Sequence, residues 1–288
     1  MRLLRRSLHL PFLMTGVLLL FFAVGKASAI EHHTRYISLA PSTTEILFAL
    51  GLDKEIVGVS SYCNYPERAR QKTKIGDFSH PNIEMIYSLK PDYIFSTGLE
   101  QAPVIEQLKQ LNFKLYVADP SNIEELFITI KDIGDITGKS KQADEIINKM
   151  KIDIKEIVSK SELIPQESKK KVFIEIWHEP LMTAGGGSFV DELITLAGGV
   201  NIAHDVKRPY SVFSAEKVIS ANPGCIIMTY MDKEVPLKLI ASRSGWAGID
   251  AVKNKQVFNG ISPDILLRPG PRVTEGLKEL YNKLYPKG

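Results

Sequence analysis

The sequence predicts an α/β protein of two similar halves joined by one long helix, and three observations carry that reading. Short apolar, strand-like runs alternate with helical patterns along most of the chain, as a mostly parallel sheet covered on both faces requires. The stretch from Ser140 to Ser161 places Ala143, Ile146, Ile147, Met150, Ile154, Ile157 and Val158 on one apolar stripe at helical spacing. The segments on either side of it echo each other. TEILFALG, ending at Gly51, matches DELITLAG, ending at Gly198, in pattern. Glu84 and Glu216 each stand seven residues before a proline, Pro91 and Pro223, that leads into a strand. The middle helix reads as a stiff strut, because a loose linker would be rich in Gly, Ser or Pro. An ordinary surface helix of one large domain is the plainer alternative. The divisions expected are a leader over 1–29, a first lobe over 30–138, the connecting helix over 139–163 and a second lobe over 164–288.

In the leader, Arg2, Arg5 and Arg6 precede an apolar run from Leu10 to Val24, and Ala27-Ser28-Ala29 offers small residues at the cleavage positions. That is the pattern of a secretory signal. The run falls short of the roughly 20 residues that span a bilayer, and no Cys follows it as a lipid-anchor site. The expectation is an exported protein cleaved after about Ala29. The chain has 36 Lys and Arg against 33 Asp and Glu, but Arg2, Arg5, Arg6 and Lys26 lie in the leader, leaving 32 against 33. The basic pI therefore does not point to nucleic acid. Cys63 and Cys225, one in each half, read as two unpaired thiols, since a bridge between lobes would lock them together.

Taken in order, Tyr36 to Leu39 reads as a strand and Pro41 to Leu50 as a helix, capped by Ser42 or Thr43, with Glu45 completing a capping box. Ile56 to Val59 is a second strand. The loop from Ser60 to Phe78 is long and holds Tyr62, Tyr65 and Phe78, and loops of that length are usually functional. Asn82 starts a short helix that stops at Lys90-Pro91, before the strand YIFST. A helix over 103–111 and a strand over 114–118 follow. Asn122 and Glu125 form a capping box for a helix whose stripe is Ile123, Leu126, Phe127, Ile130 and Ile133. Ser140 is placed to cap the connecting helix. In the second half, Lys171 to Ile176 is a strand, Ala184 to Gly187 a Gly-rich loop, and a helix starts near Ser188.

No nucleoside-triphosphate P-loop, nucleophile elbow or H-E-x-x-H helix is present, and Gly185-Gly186-Gly187 lacks dinucleotide-loop spacing. His32 and His33 lie near the expected new N-terminus; His80, His178 and His204 are scattered, with His178-Glu179 a weak metal candidate. No nucleophile–base pair emerges, so no catalytic residue, metal or cofactor is expected. What the sequence offers is aromatic side chains in irregular segments: Tyr62 and Phe78 from the first half, Trp177 and Tyr210 from the second. Flat rings after strand ends suit a large, mostly apolar ligand. Asp264 and Arg268 lie in a late loop where fixed charge can meet polar groups of a ligand.

RYISLAPSTTEILFALG, VGVSSYCNYP, IEMIYSLKPDYIF, EIWHEPLMTAGGGSF and LRPGPRVTEGLKEL together resemble the cobalamin- and siderophore-type periplasmic binding proteins of ATP-driven importers, and within that group the cobalamin binders most. The resemblance covers nearly all of the chain after the leader. It implies two Rossmann-like lobes joined by a single helix, a ligand cleft between them, and limited hinge closure. It places Tyr62, Phe78, Trp177 and Tyr210 where family members line the corrin pocket, and matches Asp264 and Arg268 to the late Asp and Arg that contact the ligand. Where close cobalamin binders carry a second Trp after the strand YIFST, this chain has Thr97. The family docks on its permease through one exposed carboxylate per lobe; the matching residues are Glu84 and Glu216. Without the resemblance, each reads more simply as a helix-start Glu favoured by the macrodipole. The expected function is capture of cobalamin, as a transported ligand rather than a cofactor, by a monomeric periplasmic protein that delivers it to an ABC importer. Two rivals stand beside it. One is the same scaffold holding haem, with Tyr62, His80 or His178 as axial ligand, or holding a ferric siderophore. The other is a small exported enzyme on a two-lobe fold.

Overall fold

The computed structural model describes residues 34–98, 101–230 and 238–286; the leader, with His32 and His33, lies outside them. The first half contains β1 (Tyr36–Ser38), α1 (Pro41–Ala49), β2 (Ile56–Val59), α2 (Glu67–Arg70), α3 (Ile83–Ser88), β3 (Tyr93–Ser96), α4 (Ala102–Gln110), β4 (Leu115–Val117) and α5 (Ile123–Ile136). Its strands form one parallel sheet in the order β2-β1-β3-β4. Helix α6 (Ser140–Ser161) follows over the span that its apolar stripe predicts.

Beyond α6 come β5 (Lys171–His178), β6 (Leu181–Ala184), α7 (Phe189–Leu196), β7 (Val200–Asn201), β8 (Tyr210–Val212), α8 (Ala215–Ala221) and β9 (Cys225–Met228). The chain ends with α9 (Lys238–Ser242), α10 (Asp250–Lys253), β10 (Val257–Phe258), α11 (Pro263–Leu266) and α12 (Val273–Leu284). This second sheet is mixed. Strands β10, β9, β5 and β7 pair in parallel, while β6 and β8 add on antiparallel. The apolar run fades after Ile176, but the backbone ladder continues through Trp177↔Met182 and His178↔Leu181. Trp177 therefore lies in a strand, and Tyr210 opens another. The fold is α/β, two lobes joined by one long helix.

The internal echo is visible in the backbone. Helices α1 and α7 both end two residues before a glycine in the left-handed region, Gly51 at φ 79° and Gly198 at φ 78°. Helices α3 and α8 both lead to a left-handed residue just before proline, Lys90 at φ 45° and Asn222 at φ 46°. A residue before proline is excluded from helical backbone, so each helix stops there and its strand begins.

Helix α6 is central to the packing. Ala143, Ile147, Met150 and Ile157 are buried, with Ile146 and Ile154 packed against them. The same continuous core takes in Ile46 and Leu47 of α1, Ile130 and Ile133 of α5, Leu193 of α7, and Leu277 and Leu280 of α12. One apolar core thus runs through both lobes.

Some expected caps are different. The N-cap of α6 is Lys139, with no side-chain cap bond; the tight turn at Gly138 starts the helix one residue before Ser140 can serve. Helix α1 starts at Pro41 after Ala40, again without a side-chain cap. The hydroxyls of Thr43 and Thr44 instead donate to the Ala40 carbonyl. Glu45 is not part of a capping box. Its buried carboxylate receives two hydrogen bonds from Arg272, at 2.8 and 2.6 Å, and that guanidinium lies 3.6 Å over the Tyr65 ring. Burial pushes the Glu45 carboxyl up and Arg272 opposes the shift. The equivalent residue of the second lobe, Glu192, accepts from the backbone N–H of Ile123 at 2.7 Å, filling an open donor of α5's first turn. The repeated glutamate thus reaches into the opposite lobe from each side.

This crossing generates a stability prediction. Arg272→Met leaves Glu45 buried without its cation and is expected to cost about 3–5 kcal/mol in urea unfolding. Glu45→Leu combined with Arg272→Met should recover most of that loss. Equal losses in the single and double variants would show that packing, not charge, governs the contact.

Candidate functional site

A cleft of about 350 Å³ lies between the lobes. From the first lobe, Phe78, Thr97, Gly98 and the Asp119–Ser121 turn line it. Thr97 and Gly98 follow the carboxyl end of β3 and residues 119–121 that of β4, where open parallel sheets place their ligands, while Phe78 comes from the loop before α3. From the second lobe come Gly187, Ser188, Phe189, Pro209 and Tyr210, and Leu267 and Pro269 close the floor.

Each wall is held by a polar side chain behind it. Gln101 is fully buried and donates to the carbonyls of Leu39 and Phe78 at 3.0 and 2.7 Å, while accepting from the Thr97 N–H at 3.0 Å. It ties three first-lobe loops into one surface. In the second lobe, Asp191 is buried and accepts from Asn201 at 2.8 Å and from the Gly187 N–H at 3.2 Å, with His204 Nδ1 3.0 Å away. The helix expected to start near Ser188 is α7, and Ser188 caps it, accepting from the Asp191 N–H at 3.1 Å. Asn122 caps α5, but Glu125 reaches back to Ser121 rather than to Asn122, bonding its N–H and hydroxyl.

Of the residues singled out from sequence, the cleft brings together Phe78, Thr97 and Tyr210. Tyr62 is exposed and outside its lining. Trp177 is half-exposed, its indole N–H donating to the Glu179 carbonyl at 2.8 Å and its ring 6.2 Å from that of Tyr230. That aromatic pair stands on a buried ion pair, in which Arg243 makes two bonds of 2.7 and 2.6 Å to Glu175. The Tyr230 hydroxyl also donates to Glu175. Asp264 and Arg268 pair with each other at 3.0 Å, and Asn64 bridges them at 3.0 and 2.7 Å. In this state they join the Asn64 loop of the first lobe to α11 of the second, and neither lines the cleft.

Sequence reasoning missed Gln101, Asp119, Ser121 and Phe189. The resemblance singles out Thr97, which follows β3; the corresponding place after β4 is the Asp119 turn, so that signal was available. Gln101 had none, because its role depends on three loops meeting in space.

Among the described residues the cleft lining contains one carboxylate, Asp119, and no Lys, Arg or His. A second hollow of about 560 Å³ lies between α5 and α6, but it is an open groove edged by Glu124, Lys131, Asp144 and Lys151 and belongs to one lobe and the strut. Among the described residues no cluster of His, Cys, Asp and Glu is arranged to hold a metal ion. His80 is exposed beside Asp77. The Nδ1 of His178 is buried with no hydrogen-bond partner. Both cysteines are free and buried; burial pushes the Cys225 thiol up to about 12 and raises that of Cys63, so neither is a ready thiolate.

Glu84 and Glu216 are both exposed, each the second residue of a short helix, α3 and α8. Asn82 and Ser214 cap those helices from two residues upstream. The Ser214 hydroxyl donates to Glu216 and holds its carboxyl below the usual range.

Residues 37–262 match the family model described as periplasmic binding protein. The chain is 35% identical over 257 residues to an uncharacterised ABC transporter substrate-binding lipoprotein, YvrC, of Bacillus subtilis strain 168, covering 88% of this chain and 80% of that one. A solved structure of a possible iron-binding (periplasmic solute-binding) protein from Staphylococcus epidermidis is 33% identical, with a TM-score of 0.76 over 87% of this chain and 98% of that one. The vitamin B12 binding protein BtuF of Vibrio cholerae is 27% identical, with a TM-score of 0.74 over 87% and 96%. Fold, cleft and sequence agree: the chain belongs to the periplasmic binding protein family.

Proposed function

We propose that the cleft captures cobalamin, or a related corrinoid, and that the protein delivers it to the permease of an ABC importer. At the coarser level the chain is the solute-binding component of such an importer, working outside the cytoplasmic membrane. The finer reading has it exported through the leader, cleaved after about Ala29, and acting as a monomer in the periplasm, with lobes divided at 139 and 163. No catalytic step is part of it.

The observation that carries the ligand assignment is the character of the cleft wall. Its rings and prolines, Phe78, Phe189, Tyr210, Pro120, Pro209 and Pro269, present flat apolar surface, and the one charge among its described residues is negative. A corrinoid is a broad macrocycle edged with neutral amides, whose N–H groups can donate to an acid and whose faces can lie on rings. Haem and most ferric siderophores bring anionic groups, and enclosing an anion without a cation is costly. The likeness to a vitamin B12 binding protein supports the same reading.

The second reading, haem or a ferric siderophore, has two observations of its own. The relative described as possibly iron-binding is more similar in sequence than the B12 binder. His178 also has a buried ring nitrogen without a partner beside Trp177.

Titration of the mature protein with cyanocobalamin, and separately with haemin, decides between them. Saturable one-to-one submicromolar binding of the corrinoid alone is expected. Intrinsic fluorescence should report it through half-exposed Trp177, since Trp246 is sealed in the core. Binding of haemin alone, lost in His178→Ala, would replace the ligand and keep the scaffold.

Trp177→Ala is expected to weaken corrinoid binding at least tenfold, about 1.4 kcal/mol. Wild-type affinity in equilibrium dialysis would place the ligand away from that ring. For docking, the assigned contacts are Glu84 and Glu216. Reversing both charges should leave ligand affinity unchanged and cut uptake by cells severalfold, because exposed charges steer encounter more than they hold a complex. Normal uptake would remove the docking role from these helices.

A further inference from the structure

We infer that Asp119 is the specificity-determining residue of the cleft, selecting ligands edged with amide N–H groups over ligands edged with carboxylates. The inference rests on the reading of this cleft as the ligand site and deepens it.

Asp119 lies in the turn after β4, on the first-lobe wall. Its position is built into the neighbouring loop. A Cβ on Gly98 would come within 2.0 Å of Asp119 Oδ2 and 2.6 Å of its Cγ, so the carboxylate occupies the space that only a glycine leaves open. Two serine hydroxyls of the walls have internal partners. The Ser121 hydroxyl donates to Glu125 and the Ser188 hydroxyl to the Gly185 carbonyl. Among the described residues no cation pairs with Asp119. Partial desolvation and, among the described residues, the charge of Glu125 raise its carboxyl.

Asp119 is exposed to the cleft, and among the described residues no protein group donates to it. An amide N–H of the ligand would supply a charge-assisted hydrogen bond, stronger than a bond between neutral groups. A ligand carboxylate at the same place would meet a like charge with no cation to offset it. The residue thus acts both ways, attracting one edge chemistry and repelling the other, which is how a site gains discrimination beyond its affinity.

The test compares cyanocobalamin with its monocarboxylic derivatives, in which one peripheral amide of the corrin ring is hydrolysed to an acid. Equilibrium dialysis at neutral pH would be run on the wild type, Asp119→Asn and Gly98→Ala, with thermal melting to show that each is folded. The wild type is expected to prefer the amide at least tenfold over at least one monoacid. Asp119→Asn should bring the two within about threefold, mainly by tightening the acid. Gly98→Ala keeps the charge but displaces it, and should fall between. Persistence of the full preference in Asp119→Asn, with corrinoid still bound, would overturn this inference alone. Absence of corrinoid binding by the wild type would overturn the ligand reading and this inference together.

Discussion

The constraint on which the rest of the structure depends is the apolar core that both lobes share along α6. Met150 and Ile157 of that helix pack in one cluster with Ile46 from the first lobe and Leu280 from the second. Separating the lobes would expose this surface, and each large side chain uncovered would cost about 1.5–3 kcal/mol. Contacts across the base of the cleft act in the same direction. Glu45 reaches Arg272, Glu192 reaches the start of α5, and Asn64 bridges Asp264 and Arg268. These contacts pair groups that the core would otherwise leave buried and unsatisfied. The lobes therefore form one mechanical body with a cleft in it, rather than two bodies on a tether.

The sequence made the architecture legible because its strongest signals are local and periodic. The α6 stripe, the two helix-to-proline stops and the two Gly-terminated helices all appear where they were expected, and their left-handed backbone angles agree within a degree. What could not be read depends on groups far apart in the chain. Glu45 has the spacing of a capping box, but its partner lies 227 residues away. Trp177 looked like loop because β5's apolar run stops at Ile176, whereas its ladder to β6 continues beyond. The resemblance singled out Thr97 after β3, and looking at the equivalent place after β4 would have found Asp119. Gln101 could not be found that way, because no local pattern marks a side chain whose three partners converge only in the fold.

The walls of the cleft share a construction. In each lobe a buried polar side chain stands behind the lining and fixes backbone that faces the opening: Gln101 through Leu39, Thr97 and Phe78, and Asp191 through Gly187. Backbone held this way has few alternative arrangements, so ligand binding need not order it. That lowers the entropic cost of capture and leaves more of the contact energy to appear as affinity.

A stiff frame with rigid walls also limits how selectivity can arise. A binding protein whose lobes swing widely can reject a poor ligand by failing to close around it. Here the shared core opposes a wide swing, so discrimination depends on the chemistry of the walls nearly as they stand. In that situation single side chains count for more. Among the described residues the cleft lining has one charge and no cation, so the sign of that charge bears on every ligand that enters. The arginines near the floor, Arg268 and Arg272, do not soften this, since Asp264 and Glu45 already hold them. Recruiting Arg272 to an anionic ligand would break its inter-lobe pair with Glu45, and recruiting Arg268 would break its pair with Asp264 and its bond to Asn64 of the first lobe. The same ion pairs that stiffen the frame thereby withhold positive charge from the cleft, which couples the stability of the fold to the class of ligand it accepts.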